Sequence, residues 1–303
     1  MFAVISHRNI FLSIAGALVL AAIVAGVVWQ LHFGIDFRGG TMWQLKINQG
    51  ATSQEELRAY LSDELKIKGV AVYADTSTNT LIARMEAVSE ADHQRFLTFL
   101  KQKFGAVEEQ RFDTIGPAVG KSVEQKAIWA VLLVLVGISL YVTFAFRKVS
   151  YPIKSWKYGA ITLVTLFHDV LIPLGLYAVL GHFFGVEVDI NFVVAVLVVM
   201  GFSVHDTIVV FDRIRENLLH YRQNVDAAGL ETVINKSVNE TMVRSINTSM
   251  TLILVLLALV FLGPVSLKYF IITILVGVTV GTYSSIFVAS PLLFLVSRVQ
   301  KSK

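Results

Sequence analysis

The chain has 303 residues, 55% of them hydrophobic and 16% charged, with a formal net charge of +4. Soluble domains carry about 25% charged residues, so this composition excludes an ordinary water-soluble globule and points to a membrane protein. The sequence contains no cysteine, which excludes a disulfide framework and a thiolate metal site.

Six apolar runs come near the ~20 residues that a helix needs to cross a bilayer. They lie at about 10–31, 127–146, 158–180, 190–211, 245–262 and 270–296. The expected organisation is a start and first span (1–31), a polar domain (32–126), a five-span membrane domain (127–296) and a tail (297–303). The first run is too long for the apolar core of a cleavable signal peptide, so none is expected. Basic residues mark one side of the membrane. Arg8 precedes the first span, and Arg147, Lys148, Lys154 and Lys157 join the second to the third. Arg213, Arg215, Arg222, Lys236 and Arg244 follow the fourth, and Arg298, Lys301 and Lys303 form the tail. The connection 181–189 has neither Lys nor Arg, and 263–269 has Lys268 alone. This asymmetry predicts cytoplasmic termini and an extracytoplasmic polar domain.

Within the polar domain the patterning predicts strands at 42–47, 70–74, 80–85 and 106–113, and helices at 53–66 and 89–104. Ser53 with Glu56 reads as a capping box and Ser89 as the second helix cap. The order β-α-β-β-α-β is that of a ferredoxin-like sandwich, a fold that hosts many functions. Glycine-rich turns flank it: Gly34, Asp36, Gly39 and Gly40 in GIDFRGG on entry, and Gly116, Pro117 and Gly120 in GPAVG on exit. These are candidate hinge or close-packing positions, because glycine permits positive φ and close backbone approach.

The third span carries His168-Asp169, followed by Pro173, a predicted kink. The fourth carries His205-Asp206 between Ser203 and Thr207. An intramembrane acid is costly and either serves an ion path or makes a structural hydrogen bond between helices; both alternatives stand at this point. Adjacent residues diverge by about 100° around a helix, so two His-Asp pairs do not make a metal site, and no metal is expected. Arg244 enters the fifth span, where it can snorkel to the interface or pair with Asp206. Gly277 and Gly281 form a GxxxG in the sixth, a helix-packing signal. The stretch 212–243 mixes acids and bases and reads as helical; Asp212, Arg213, Arg215 and Glu216 look like a solvated helix end. No Walker loop, HExxH or GxSxG occurs, so no hydrolase chemistry, cofactor or nucleic-acid partner is expected.

Taken together, GIDFRGGT, GPAVG, FHDV, GFSVHDTIVVFDRIREN and RSINTS, in this order around six spans, resemble the SecD/SecF family of protein-export membrane proteins. The resemblance covers nearly the whole chain. It implies a fold of the resistance-nodulation-division type in the plasma (inner) membrane, with SecD as a partner that supplies six matching spans. It implies use of the proton-motive force to draw exported preprotein through the SecYEG translocon, with YidC and YajC as further candidate partners. Asp206 and Arg244 match positions associated with proton passage, and Asp169 matches the third-span acid. His205 departs from the family's usual Asn, which leaves open one titrating group or a coupled pair. Two other classes compete: a proton-driven exporter of small molecules, which needs a substrate tunnel through a larger outer part, and a passive assembly scaffold.

Overall fold

A computed structural model describes residues 2–47, 53–75, 78–147, 153–220 and 227–298. Lys148, Arg222, Lys301 and Lys303, used above for orientation, lie outside the described residues. The chain forms two compact units, Phe33–Ile128 on one hand and Met1–His32 with Trp129–Lys303 on the other.

The chain opens with α1 (Arg8–Trp29) and enters the unit Phe33–Ile128 through α2 (Ile35–Arg38). There follow β1 (Gly40–Ile47), α3 (Gln54–Ala59, prolonged by a π-helical turn Tyr60–Glu64), β2 (Ala71–Asp75), β3 (Thr80–Met85), α4 (Glu90–Phe104) and β4 (Val107–Ile115). The strands form one antiparallel sheet in the order β2-β3-β1-β4. Strand side chains alternate between faces, and Thr41, Trp43 and Leu45 of β1 are all buried. Trp43 and Leu45 pack with Leu57 and Leu61 of the first helical segment and Phe96, Leu100 and Phe104 of α4, so both helices cover one face. Each helix starts at a serine cap. Ser53 Oγ accepts from the Glu56 N–H at 3.0 Å, and Ser89 Oγ from the Asp92 N–H at 3.2 Å. A half-buried polar knot pins α4 to the sheet. His93 Nε2 lies 2.6 Å from Glu109 Oε2, which also accepts from Trp43 Nε1 at 2.8 Å, and the His93 ring stacks on Phe112.

The remaining helices are α5 (Pro117–Ala145), α6 (Ser155–Phe184), α7 (Ile190–His220), α8 (Ala227–Leu262), α9 (Lys268–Ser284) and α10 (Ser290–Arg298). A π-helical turn, Ser285–Ala289, joins the last two into one span. Among the described residues, six segments thus have the length and hydropathy to cross a membrane: α1, α5, α6, α7, α8 and the α9–α10 rod. Pro173 is buried inside an uninterrupted α6.

Two helices outrun their apolar stretches. The mixed-charge connection after the fourth run is largely the end of α7 and the start of α8. Ile214, Leu218, Leu230, Val233, Ile234 and Val238 recur at helical spacing and close a core with Val4, Ile5 and Phe211. The opposite face carries ion pairs of Arg213 with Glu240 (2.7 Å) and Glu216 (2.6 Å). The N-terminal segment is fastened to α8. The Phe2 N–H donates to Asn239 Oδ1 and Asn239 Nδ2 to the Phe2 carbonyl, both at 2.8 Å; the Ile5 N–H donates to Asn235 Oδ1 at 3.0 Å.

Candidate functional site

Close packing of α9 on α7 builds the site. A Cβ added at Gly281 would lie 2.9 Å from the Ser203 Cβ, and one at Gly277 would collide with Val199. The GxxxG pair therefore lets two backbones approach until short hydroxyl side chains reach across. Asp169 of α6 sits fully buried at that junction. Its Oδ2 accepts from Ser203 Oγ of α7 and, at 2.8 Å, from Ser284 Oγ of α9; its Oδ1 lies 2.8 Å from His168 Nδ1. A carboxylate is an acceptor with several lone pairs, and donors on three helices meet that demand. His168 Nε2 is buried and has no hydrogen-bond partner among the described residues.

Asp206 lies three residues beyond Ser203 on the same side of α7. It is as buried as Asp169, at 2% exposure, and far less bonded. Ser249 Oγ of α8 donates to its Oδ2 at 3.4 Å, and Thr282 Oγ1 of α9 donates to Ser249 Oγ at 2.6 Å. Thr207 Oγ1 lies 3.0 Å from Ser285 Oγ. Asp206 also forms part of the wall of a cavity of about 190 Å³, shared with His205, Val209, Arg244, Ser245 and Thr248. His205 Nδ1 stands 4.0 Å from Asp206 Oδ1, its side chain 68% exposed.

Arg244 lines the same cavity, exposed, and forms no ion pair among the described residues. The direct Asp206–Arg244 pair, one of the two alternatives for Arg244, is therefore not formed in this conformation. Ser249, five residues further along α8, is the residue of that helix that reaches the acid. A water occupies about 30 Å³, so the cavity between acid and guanidinium has room for several. Among the described residues no three His, Asp or Glu side chains converge as a metal site would require.

Within the unit Phe33–Ile128 the two glycine motifs meet. Gly39 and Gly40 adopt φ of +76° and +124°, in the region that favours glycine. A Cβ on Gly39 would lie 2.7 Å from Pro117 Cα, one on Gly40 2.8 Å from the Met85 carbonyl oxygen, and one on Gly120 2.8 Å from the Phe37 carbonyl oxygen and the Gly39 nitrogen. Gly34 caps α2, Asp36 lies in its first turn, and Pro117 opens α5 after Gly116. Gly39, Gly40, Pro117 and Gly120 form a packed seam, whereas the space beside Gly116 is open.

Sequence reasoning assigned no role to Ser249, the last residue of RSINTS, and missed Thr282, Ser284 and Ser285. Their signal was weak, because Ser and Thr in apolar helices commonly bond back to their own i−4 carbonyl. The run Thr282-Tyr283-Ser284-Ser285 was the one clue: three aliphatic hydroxyls within four residues of an apolar span.

Residues 96–299 match the family model described as "Protein export membrane protein SecD/SecF, C-terminal". The chain is 40% identical to the protein translocase subunit SecF of Thermobaculum terrenum over 97% of its length and 93% of that protein. It is 37% identical to the protein translocase subunit SecDF of Thermus thermophilus over 92% of its own length and 36% of the longer chain. The crystal structure of SecDF from Thermus thermophilus, described as a translocon-associated membrane protein, superposes with a TM-score of 0.81 at 31% identity, over all of this chain and 39% of that one.

Proposed function

The chain belongs to the SecD/SecF family of protein-export membrane proteins, and we propose that it is the SecF-type subunit of a SecD–SecF complex. In this proposal the complex uses the proton-motive force to promote late, ATP-independent steps of preprotein translocation through SecYEG. Asp206 is the group that takes up and releases the proton, with His205 and Arg244 as its neighbours in the ion path and the Asp169–His168 pair as a second station. The observation that carries this reading is the position of Asp206: buried, bonded among the described residues through one long side-chain hydrogen bond, and in the wall of a cavity beside a guanidinium that forms no ion pair with them. Asp169, by contrast, is held by several short hydrogen bonds. Moving one charge through the membrane potential yields ~2.3 kcal/mol per 100 mV, enough over a few protons to shift packed helices between two arrangements.

A partner subunit also fits this reading. His205 and Arg244 are exposed on helices apolar enough to cross a membrane, where lipid would offer them no hydrogen bonds. SecD fits as that partner: the Thermus thermophilus relative carries SecDF as one chain, of which this chain spans 36%. SecYEG and the translocating preprotein complete the assembly, with YidC and YajC as further candidates. The sheet order β2-β3-β1-β4 with two helices on one face supports a ferredoxin-like domain, which the Lys and Arg asymmetry assigns to the outer side of the plasma membrane, with both termini cytoplasmic.

The test compares Asp206→Asn with wild type in energised inverted vesicles that carry the partner and the translocon. We expect unchanged complex abundance and loss of the stimulation that a proton gradient gives to preprotein translocation. Full stimulation in the variant removes Asp206 from the coupling path. Loss of abundance assigns it a structural role.

A further inference from the structure

We propose that residues 282–285, at the end of α9, couple the two buried acids, with Thr282, Ser284 and Ser285 as positioning residues. The proposal rests on Asp206 acting as the coupling acid and extends that role to a segment no sequence motif marks.

Each of the three hydroxyls carries one proton and has two classes of acceptor within reach. Thr282 Oγ1 lies 2.6 Å from Ser249 Oγ, the donor to Asp206, and 2.8 Å from the Val278 carbonyl oxygen of its own helix. Ser284 Oγ lies 2.8 Å from Asp169 Oδ2 and 3.1 Å from the Gly281 carbonyl oxygen. Ser285 Oγ lies 3.0 Å from Thr207 Oγ1, which itself donates to the Ser203 carbonyl oxygen, 3.3 Å from that same Ser203 oxygen, and 2.8 Å from the Gly281 oxygen. Every hydroxyl can therefore donate outward, toward an acid's network, or inward, to α9.

The shared acceptor links the two centres. When Asp169 takes a proton it no longer needs the Ser284 donor, and Ser284 turns to the Gly281 oxygen. That oxygen is also the inward acceptor of Ser285, which is then driven outward onto Thr207 and the Ser203 carbonyl oxygen, on the turn of α7 that carries Asp206. The titratable groups facing the acids are His168 on α6, His205 on α7 and Arg244 on α8; α9 faces them with hydroxyls. A second, independent feature marks the same place: the π-helical turn begins at Ser285. Such turns are rare, cluster at functional sites, and give a helix a point where its hydrogen-bond register can change.

The experiment measures gradient-stimulated translocation as a function of pH, per unit of complex, for Thr282→Val, Ser284→Ala, their combination and Thr282→Ser. We expect Thr282→Val to lower stimulation on the order of tenfold, as losing one hydrogen bond to a charged network can do, and Thr282→Ser to restore it. Ser284→Ala should displace the pH profile, and the combination should be no worse than the poorer single variant. Wild-type stimulation and pH profile in both single variants, or effects that multiply as independent sites do, overturn the proposal. If Ser284→Ala does not accumulate, Ser285→Ala replaces it in the same cycle. If Asp206→Asn keeps full stimulation, the functional reading itself fails, an outcome distinct from failure of the α9 variants alone.

Discussion

Ser284 Oγ donates to Asp169 Oδ2 across 2.8 Å, joining residues 115 positions apart on α9 and α6. With Ser203 on α7 it closes a three-helix knot around an acid that is fully buried. Asp206, one turn along α7, has one hydrogen bond of 3.4 Å. Two acids of equal burial thus have opposite degrees of satisfaction.

This contrast gives different outcomes for the same substitution. Asp169→Asn turns an amide donor toward donors and should cost about 1–3 kcal/mol. Thermal unfolding in detergent should show a clear loss for Asp169→Asn and little change for Asp206→Asn. Equal losses would mean that the hydrogen bonds of Asp169 add nothing to stability.

Gly120→Ala tests the glycine seam. Its new Cβ would meet the Phe37 carbonyl and the Gly39 nitrogen at 2.8 Å, backbone atoms that cannot rotate away. Overpacking of this kind costs about 1–3 kcal/mol. Amides of β1 and β4 should exchange hydrogen faster by mass spectrometry, whereas Gly116→Ala, whose site has nothing within 4 Å, should leave them unchanged.

In the sheet unit, Glu109→Ala removes the one oxygen that serves both Trp43 Nε1 and His93 Nε2 and leaves the two groups without their acceptor, at about 1–3 kcal/mol. Unfolding followed by Trp43 fluorescence, with the other three tryptophans replaced by phenylalanine, should show it. The same probe reads Glu90, whose carboxyl is held below the usual glutamate range by hydrogen bonds from Gln94 and His93. A depressed folded-state value means stability that is present above the unfolded value of ~4.3 and disappears as pH falls through the folded one. Wild type and Glu90→Gln should therefore differ above that pH and converge on acidification.

Asn239→Ala removes both hydrogen bonds that hold the Phe2 backbone. Limited proteolysis should then clip the N-terminus faster, with the rest of the chain unaffected.

Much of the architecture was legible because each element has its own local signal. Ser53 and Ser89 announce their helices, alternation through Thr41, Trp43 and Leu45 fixes the buried face of β1, and the apolar runs count the spans. The helical character of 212–243 was legible too, but not what holds it: α8 starts at Ala227, well before its apolar run, because Leu230, Val233 and Ile234 bury against Val4 and Ile5, a contact that spans most of the chain. In the site, the acids stood out since charge in an apolar run is conspicuous. The hydroxyls did not, because a serine that bridges helices and one that bonds its own turn look alike in sequence. The absent Asp206–Arg244 pair was illegible for a related reason: spacing along α8 cannot tell which of Arg244 and Ser249 faces α7.

The unbroken course of α8 through 36 residues has a further consequence. Its Asn235 and Asn239 grip the chain's first residues, and Ser249 of the same rod touches Asp206. A rotation that withdraws Ser249 from the acid must also twist the asparagines against Phe2 and Ile5. A dye attached to the N-terminus of this naturally cysteine-free chain would then report, from the water, each turn of a helix whose business is conducted in lipid.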